Sequence, residues 1–182
     1  MPPIDPSAPK GPVTRRVPEG DNRERLVCAD CGFVNYINPK IVVGAVCVWA
    51  DTVLLCRRAI DPRRGFWTLP AGFLEEGETA EAGVAREAWE EARARIALDG
   101  VLGVYSIARL SQVQVIYRAR LVAPEITAGP ESLDVGLFRW DDIPWGDIAF
   151  PTVHWALDHF RASQGQANFP ARGNPPARDG KM

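Results

Sequence analysis

Several things are scarce in this 182-residue chain, and each scarcity removes a class of function. No uninterrupted apolar run approaches the length needed to cross a bilayer, and the N-terminus lacks a basic-then-apolar leader, so a cytoplasmic protein is expected. Charge of one sign is not in excess. The net charge of −2 offers no electrostatic footprint for a nucleic acid or an anionic membrane. The 4 cysteines are too few and too irregular for a disulfide framework in that compartment. The 2 histidines, His154 and His159, stand five residues apart rather than four, which suits packing or surface positions better than a metal pair. What remains is ordinary for one domain with short extensions: 46% hydrophobic and 24% charged residues.

The pattern along the chain predicts strands and helices of both kinds. Residues 1–25 are rich in proline and polar groups without periodicity and read as a lead lacking order. Residues 26–40 contain Cys28-Ala29-Asp30-Cys31-Gly32, one knuckle of a zinc ribbon. Structural zinc takes four ligands, and no second pair is present, so Cys28 and Cys31 need Cys47, a histidine or another subunit to bind it. The favoured reading is a remnant whose turn survives. The apolar, β-branched run 41–49 is a buried strand, followed by a second strand over 53–58 and a short one over 66–69. Arg57 and Arg58 close the second strand, either as a solvated end or as a grip for phosphate. Two more strands are expected over 101–110 and 112–122, a last one over 135–140, and a helix over 150–163. Residues 164–182 read as a polar tail without order.

The densest chemistry lies between Gly72 and Ala94. Thr79 is a natural N-cap, and a helix from there puts Glu87, Glu90 and Glu91 on one arc roughly 100° wide. Val84, Ala85, Ala88, Trp89 and Ala92 form the opposite arc, the one a core would accept. A Glu-rich helix is often only a solvated face. Carboxylates on one rigid face can equally hold a hard divalent cation against phosphate oxygens.

Spacing separates these readings. Gly72, five residues, Glu78, seven residues, Arg86-Glu87, two residues, Glu90-Glu91 resembles the signature of the Nudix hydrolases, which cleave nucleoside diphosphates linked to another moiety. The resemblance covers roughly residues 26–163, with the domain proper at 41–163. It implies an α/β fold, an α/β/α sandwich around a mixed central sheet preceded by the short ribbon-like remnant. It assigns Glu87, Glu90 and Glu91 to a cluster for Mg²⁺ or Mn²⁺, adds the Ala71 carbonyl as a ligand, and pairs Glu78 with Arg86 to brace the loop behind Gly72. One departure stands out: the family has glycine where this chain has Arg93. The expectation is a helix running on a residue or two, with Arg93 and Arg95 near its C-terminal dipole.

Specificity lies outside the signature. Asn38-Pro39-Lys40, Gly65-Phe66-Trp67-Thr68-Leu69-Pro70-Ala71-Gly72 and Gly129-Pro130-Glu131-Ser132-Leu133 resemble the ADP-ribose/FAD pyrophosphatase subgroup. A NADH pyrophosphatase is the nearest rival, but its Ser-Gln hallmark continues here as Val113-Gln114-Val115 rather than a Trp- and Pro-rich run. Glu131 is either a general base carried over the metal cluster on its loop or a surface turn glutamate. The partner implied is a small nucleotide, with homodimerisation left open. A domain that binds nucleotides without hydrolysing them is the alternative class, and the intact carboxylates argue against it.

Overall fold

The computed structural model describes residues 11–176, and the chain divides into two compact units between Asn38 and Pro39. The first unit is a three-stranded antiparallel sheet of β1 (Pro12–Arg16), β2 (Arg25–Cys28) and β3 (Val34–Asn35). The lead drawn as unordered up to residue 25 therefore carries a strand. Its residues are exposed and aperiodic, and only pairing with β2, Arg16 opposite Arg25 and Pro12 opposite Cys28, gives it structure. An Asp21–Arg25 ion pair of 2.9 Å bridges the connecting loop. Residues 1–10 of that lead, and 177–182 of the C-terminal tail, lie outside the described residues.

The second unit is built on a mixed sheet in the order β10-β5-β4-β9-β8. These are β4 (Lys40–Trp49), β5 (Thr52–Arg58), β8 (Ile96–Ile107), β9 (Gln112–Leu121) and β10 (Ser132–Arg139); β6 (Trp67–Thr68) and β7 (Ala71–Phe73) attach to β5 and β4. β4 and β9 run parallel and every other pair runs antiparallel. The continuous apolar run in β4 is explained by its central place, since both of its faces are covered. Val43, Ala45 and Cys47 point to one layer with Leu54, Cys56, Tyr117 and Ala119, and helix α1 (Ala80–Ala92) closes it. Val46, with Leu55, Leu102, Tyr105 and Ile116, points to the other, which helix α2 (Pro151–Ser163) closes. This is the α/β/α sandwich. Among the described residues no helix is long and apolar enough to cross a membrane.

Two expectations about α1 change. Thr79 does cap it, its hydroxyl accepting from the Ala82 N–H at 3.2 Å. However, the helix stops at Ala92 instead of running on. Arg93 takes the left-handed conformation, φ 52°, and Ala94 N–H reaches back to the Ala88 carbonyl at 3.1 Å. That is the termination a glycine serves at least cost, and arginine adopts it for roughly 1–2 kcal/mol. The buried face also differs. Gly83, Glu87 and Glu91 are buried beside Val84, Ala88 and Ala92, whereas Ala85 is exposed and Trp89 is 42% exposed. Hydrophobicity alone put Trp89 inward; the helix is rotated to press its glutamates towards β7. The indole is instead covered by the Arg93 and Arg95 guanidinium groups, 5.5 and 5.7 Å from its centroid.

The tail from 164 is likewise ordered as far as it is described. The Val104 N–H donates to the Arg172 carbonyl at 2.8 Å, Arg172 N–H to Leu102 at 2.9 Å, and Asn174 exchanges two bonds with Ser106. Arg118 lies 3.9 Å over the Phe169 ring. The segment has no periodicity because it follows the edge of β8, which supplies its partners. Both histidines are packing residues: His159 Nδ1 is 2.8 Å from the Tyr105 hydroxyl, and His154 stacks on Trp145.

Candidate active site

The site is assembled from the β7 turn and the C-terminal half of α1. Arg86 is its hub. Its guanidinium grips Glu78 through two bonds, Nη2 to Oε1 at 2.7 Å and Nε to Oε2 at 3.2 Å, and Nη2 also donates to the Phe73 carbonyl at 2.9 Å. Glu78 in turn accepts from the Glu75 N–H at 2.8 Å. The loop between β7 and α1 is thus fastened to the helix, the bracing role the signature implied. Arg86 Nη1 extends to Glu87 at 2.7 Å and to Glu90 at 3.0 Å. The Arg86 contact holds the Glu78 carboxyl below its ordinary range.

Glu87 and Glu91, one helical turn apart, are 8% and 6% exposed, which is rare for carboxylates outside a functional site. Burial, followed by the Glu87 charge, pushes the Glu91 carboxyl up to about 8, against which the Ala71 N–H donates to its Oε2 at 3.3 Å. Burial also raises Glu87, partly offset by Arg86. Two buried carboxylates, one held by Arg86 and the other by the Ala71 N–H, form an oxygen-only donor set of the kind a hard divalent cation takes. Space beside them depends on Gly72, since a Cβ there would overlap the Glu87 carboxylate.

Glu90 stands apart from the buried pair, its side chain 52% exposed and held by Arg86. Among the described residues no three ligating side chains converge to metal-holding distance. Arg86 draws Glu87 and Glu90 towards itself, so a cation held by all three glutamates would replace that contact. The donor chemistry fits Mg²⁺ or Mn²⁺ on these terms. The ribbon fits its zinc less well. Cys28 is buried, Cys31 exposed, and no third ligand joins them among the described residues. Cys47 is a packed core thiol of the other unit, pushed up to about 12 by burial. The knuckle turn itself survives, with Gly32 N–H donating to Cys28 at 3.0 Å and Cys28 N–H to Phe33 at 2.8 Å.

Arg57 and Arg58 serve the loop after β5. Their Nε atoms donate to the Gly65 and Pro62 carbonyls, each at 2.9 Å. Arg58, stacked 5.2 Å from the Phe150 centroid, lies near enough to lower the Glu91 carboxyl, whereas Arg57 is exposed. Glu131 is exposed, and its charge is the smallest of the named contributions that raise Glu87 and Glu91. Its loop is pinned rather than free to swing. The Ala59 N–H donates to the Glu131 carbonyl at 2.8 Å, Ser132 N–H to Gly129 at 3.0 Å, and Gly129 N–H to the Glu91 carbonyl at 2.9 Å. The last of these contacts was invisible in the sequence, where Gly129 showed only as a turn residue. The Ser132 hydroxyl, next in the chain, is the one buried side-chain oxygen among the described residues without a hydrogen-bond partner.

Comparison with known proteins agrees with this architecture. The NUDIX domain family model matches residues 38–156, and that of the Nudix N-terminal zinc ribbon matches residues 10–37. The chain belongs to the Nudix family and is a pyrophosphohydrolase of that family. It is 28% identical over 134 residues to the ADP-ribose pyrophosphatase of Methanocaldococcus jannaschii, covering 71% of this chain and 78% of the relative. It is 32% identical over 122 residues to the NAD-capped RNA hydrolase NudC of Citrobacter koseri, covering 65% of this chain but only 46% of that protein. Among solved structures, a NUDIX hydrolase from Nitrosomonas europaea superposes with a TM-score of 0.83 at 44% identity, covering 89% of this chain and 93% of the other. The ribbon match begins at residue 10, so the boundary drawn at residue 26 belongs further upstream, where β1 is.

Proposed function

We propose that this protein hydrolyses the pyrophosphate bond of ADP-ribose, to AMP and ribose 5-phosphate, or of FAD, to AMP and FMN. The observation that carries metal-dependent hydrolysis is the buried Glu87–Glu91 pair on α1, and the choice of substrate is supported by the subgroup resemblance of residues 65–72 and 129–133 and by the ADP-ribose pyrophosphatase relative. Glu87, Glu90 and Glu91 would hold Mg²⁺ or Mn²⁺, with the Ala71 carbonyl as a further donor. The bound cation supplies charge neutralisation of the phosphates and a more acidic water. Arg86 braces the Glu78 loop, and its contacts with Glu87 and Glu90 would give way to the cation. Glu131 takes the proton of the attacking water, and Arg58 adds positive charge on the phosphate side. The partner is a small cytoplasmic nucleotide.

A second reading, cleavage at the pyrophosphate of NADH or of an NAD cap, draws support from the NudC relative. The run after Ser111-Gln112 favours the first. Purified protein incubated with Mg²⁺ and, separately, ADP-ribose, FAD, NADH or NAD-capped RNA distinguishes them by product. ADP-ribose or FAD should be turned over with the highest kcat/KM. A higher kcat/KM for NADH or capped RNA selects the second reading, and binding of ADP-ribose without AMP release selects a regulatory nucleotide-binding domain.

A further inference from the structure

We propose that Gly129 is a positioning residue for the reaction: its missing side chain lets the loop before β10 seat on the C-terminus of α1, fixing Glu131 against the carboxylate cluster. The proposal rests on the reading of Glu131 as the general base.

A helix leaves its last four carbonyls without intrahelical partners. In α1 these are Trp89, Glu90, Glu91 and Ala92. The Trp89 carbonyl accepts from Arg93 N–H at 2.9 Å. The next three face the loop. Thr127 N–H donates to Ala92 at 2.9 Å, Gly129 N–H donates to Glu91 at 2.9 Å, and the Gly129 Cα lies against the Glu90 carbonyl. A Cβ on residue 129 would overlap that carbonyl oxygen and come within 2.8 Å of its carbon. Both atoms are helix backbone, which cannot rotate aside as a side chain could. Gly129 is buried while its neighbours Ala128 and Pro130 are exposed, so this is the point at which the loop touches down.

From there the chain makes a four-residue turn. Ser132 N–H returns to the Gly129 carbonyl at 3.0 Å, and Pro130 occupies the position where a fixed φ favours such a turn. Glu131 follows, its carbonyl held by Ala59 N–H at the end of β5. Its backbone is therefore set between two anchors, the helix that carries Glu87, Glu90 and Glu91 and the strand that ends in Arg58. Raising the loop off the first anchor changes the distance from Glu131 to the cluster while leaving those three glutamates in place. A general base displaced by about 1 Å costs on the order of 10²-fold in rate.

The test is a double-mutant cycle on kcat with ADP-ribose and Mg²⁺, using Gly129→Ala, Glu131→Gln and both together. Glu131→Gln should lower kcat by about 10²- to 10⁴-fold. Gly129→Ala should lower it by about 10- to 10²-fold with KM unchanged. The double variant should be no slower than Glu131→Gln alone, because a residue acting only through Glu131 has nothing left to position. Losses that multiply in the double variant, or wild-type kcat in Gly129→Ala, overturn the positioning role and leave the base reading standing. Wild-type kcat in Glu131→Gln overturns the base reading and the positioning role with it. Thermal melts show whether each variant is folded at the assay temperature. Where Gly129→Ala is not, Thr127→Pro, which deletes the donor to the Ala92 carbonyl, replaces it in the same cycle with the same criteria.

Discussion

Glu91→Gln is expected to reduce Mg²⁺-dependent hydrolysis by about 10³-fold or more, equivalent to about 4 kcal/mol of transition-state stabilisation, in a protein that remains folded. The amide keeps the shape of the carboxyl and can still accept from Ala71 N–H, so packing beside Ala88 and Ala92 is preserved. Only the charge is lost. The same variant carries a thermodynamic signature independent of turnover. In the folded chain the Glu91 carboxyl titrates at about 8, against an ordinary value of 4.5 when unfolded. Between those values the folded state binds more protons than the unfolded state, so stability falls as pH rises. The contribution is complete below pH 4.5 and lost through pH 8. Melting curves without divalent cation should therefore decline more steeply with pH in the wild type than in Glu91→Gln, and Mg²⁺ should stabilise the wild type more at pH 8 than at pH 5. Retained hydrolysis in the variant would sink the metal role of Glu91, and parallel pH–stability curves would sink its raised pKa.

The second large effect separates two glycines that look alike in sequence. At Gly44 a new Cβ meets β7 itself, overlapping Ala71 Cβ and approaching the Pro70 carbonyl to 2.8 Å. At Gly72 it meets only the carboxylate end of Glu87, a side chain that can turn away. Gly44→Ala should therefore cost about 1–3 kcal/mol of stability by forcing β4 and β7 apart. Gly72→Ala should change the melting temperature little, yet lower kcat by about 10²-fold because Glu87 is driven from its place. Denaturant unfolding and steady-state kinetics on both variants check this. A Gly72→Ala enzyme of normal kcat would show that Glu87 does not need this position.

Much of the architecture was legible because it depends on local rules. Two-residue alternation marked β8 and β9, the continuous apolar run marked β4 as a buried strand, and Thr79 marked the start of α1. Periodicity failed where backbone pairing does the stabilising. β1, β7 and the segment around Arg172 are short or polar, and each is held by a neighbouring strand that no local pattern reveals. It failed again at Trp89. The most hydrophobic arc is not the one that turns inward, because α1 has small residues on the other side and lies close enough to the sheet to bury Glu87 and Glu91.

The spacing of Gly72, Glu78, Arg86, Glu87, Glu90 and Glu91 pointed to the family, and through that resemblance to the class of reaction, while helical geometry by itself placed only Glu87, Glu90 and Glu91 on one charged arc. Only the tertiary structure decided how that arc is oriented, that Arg86 is shared among three carboxylates, and that Gly129 bonds the backbone of the helix at Glu91. Those contacts join residues distant along the chain. They depend on which strand lies beside which helix, and packing settles that across the whole domain.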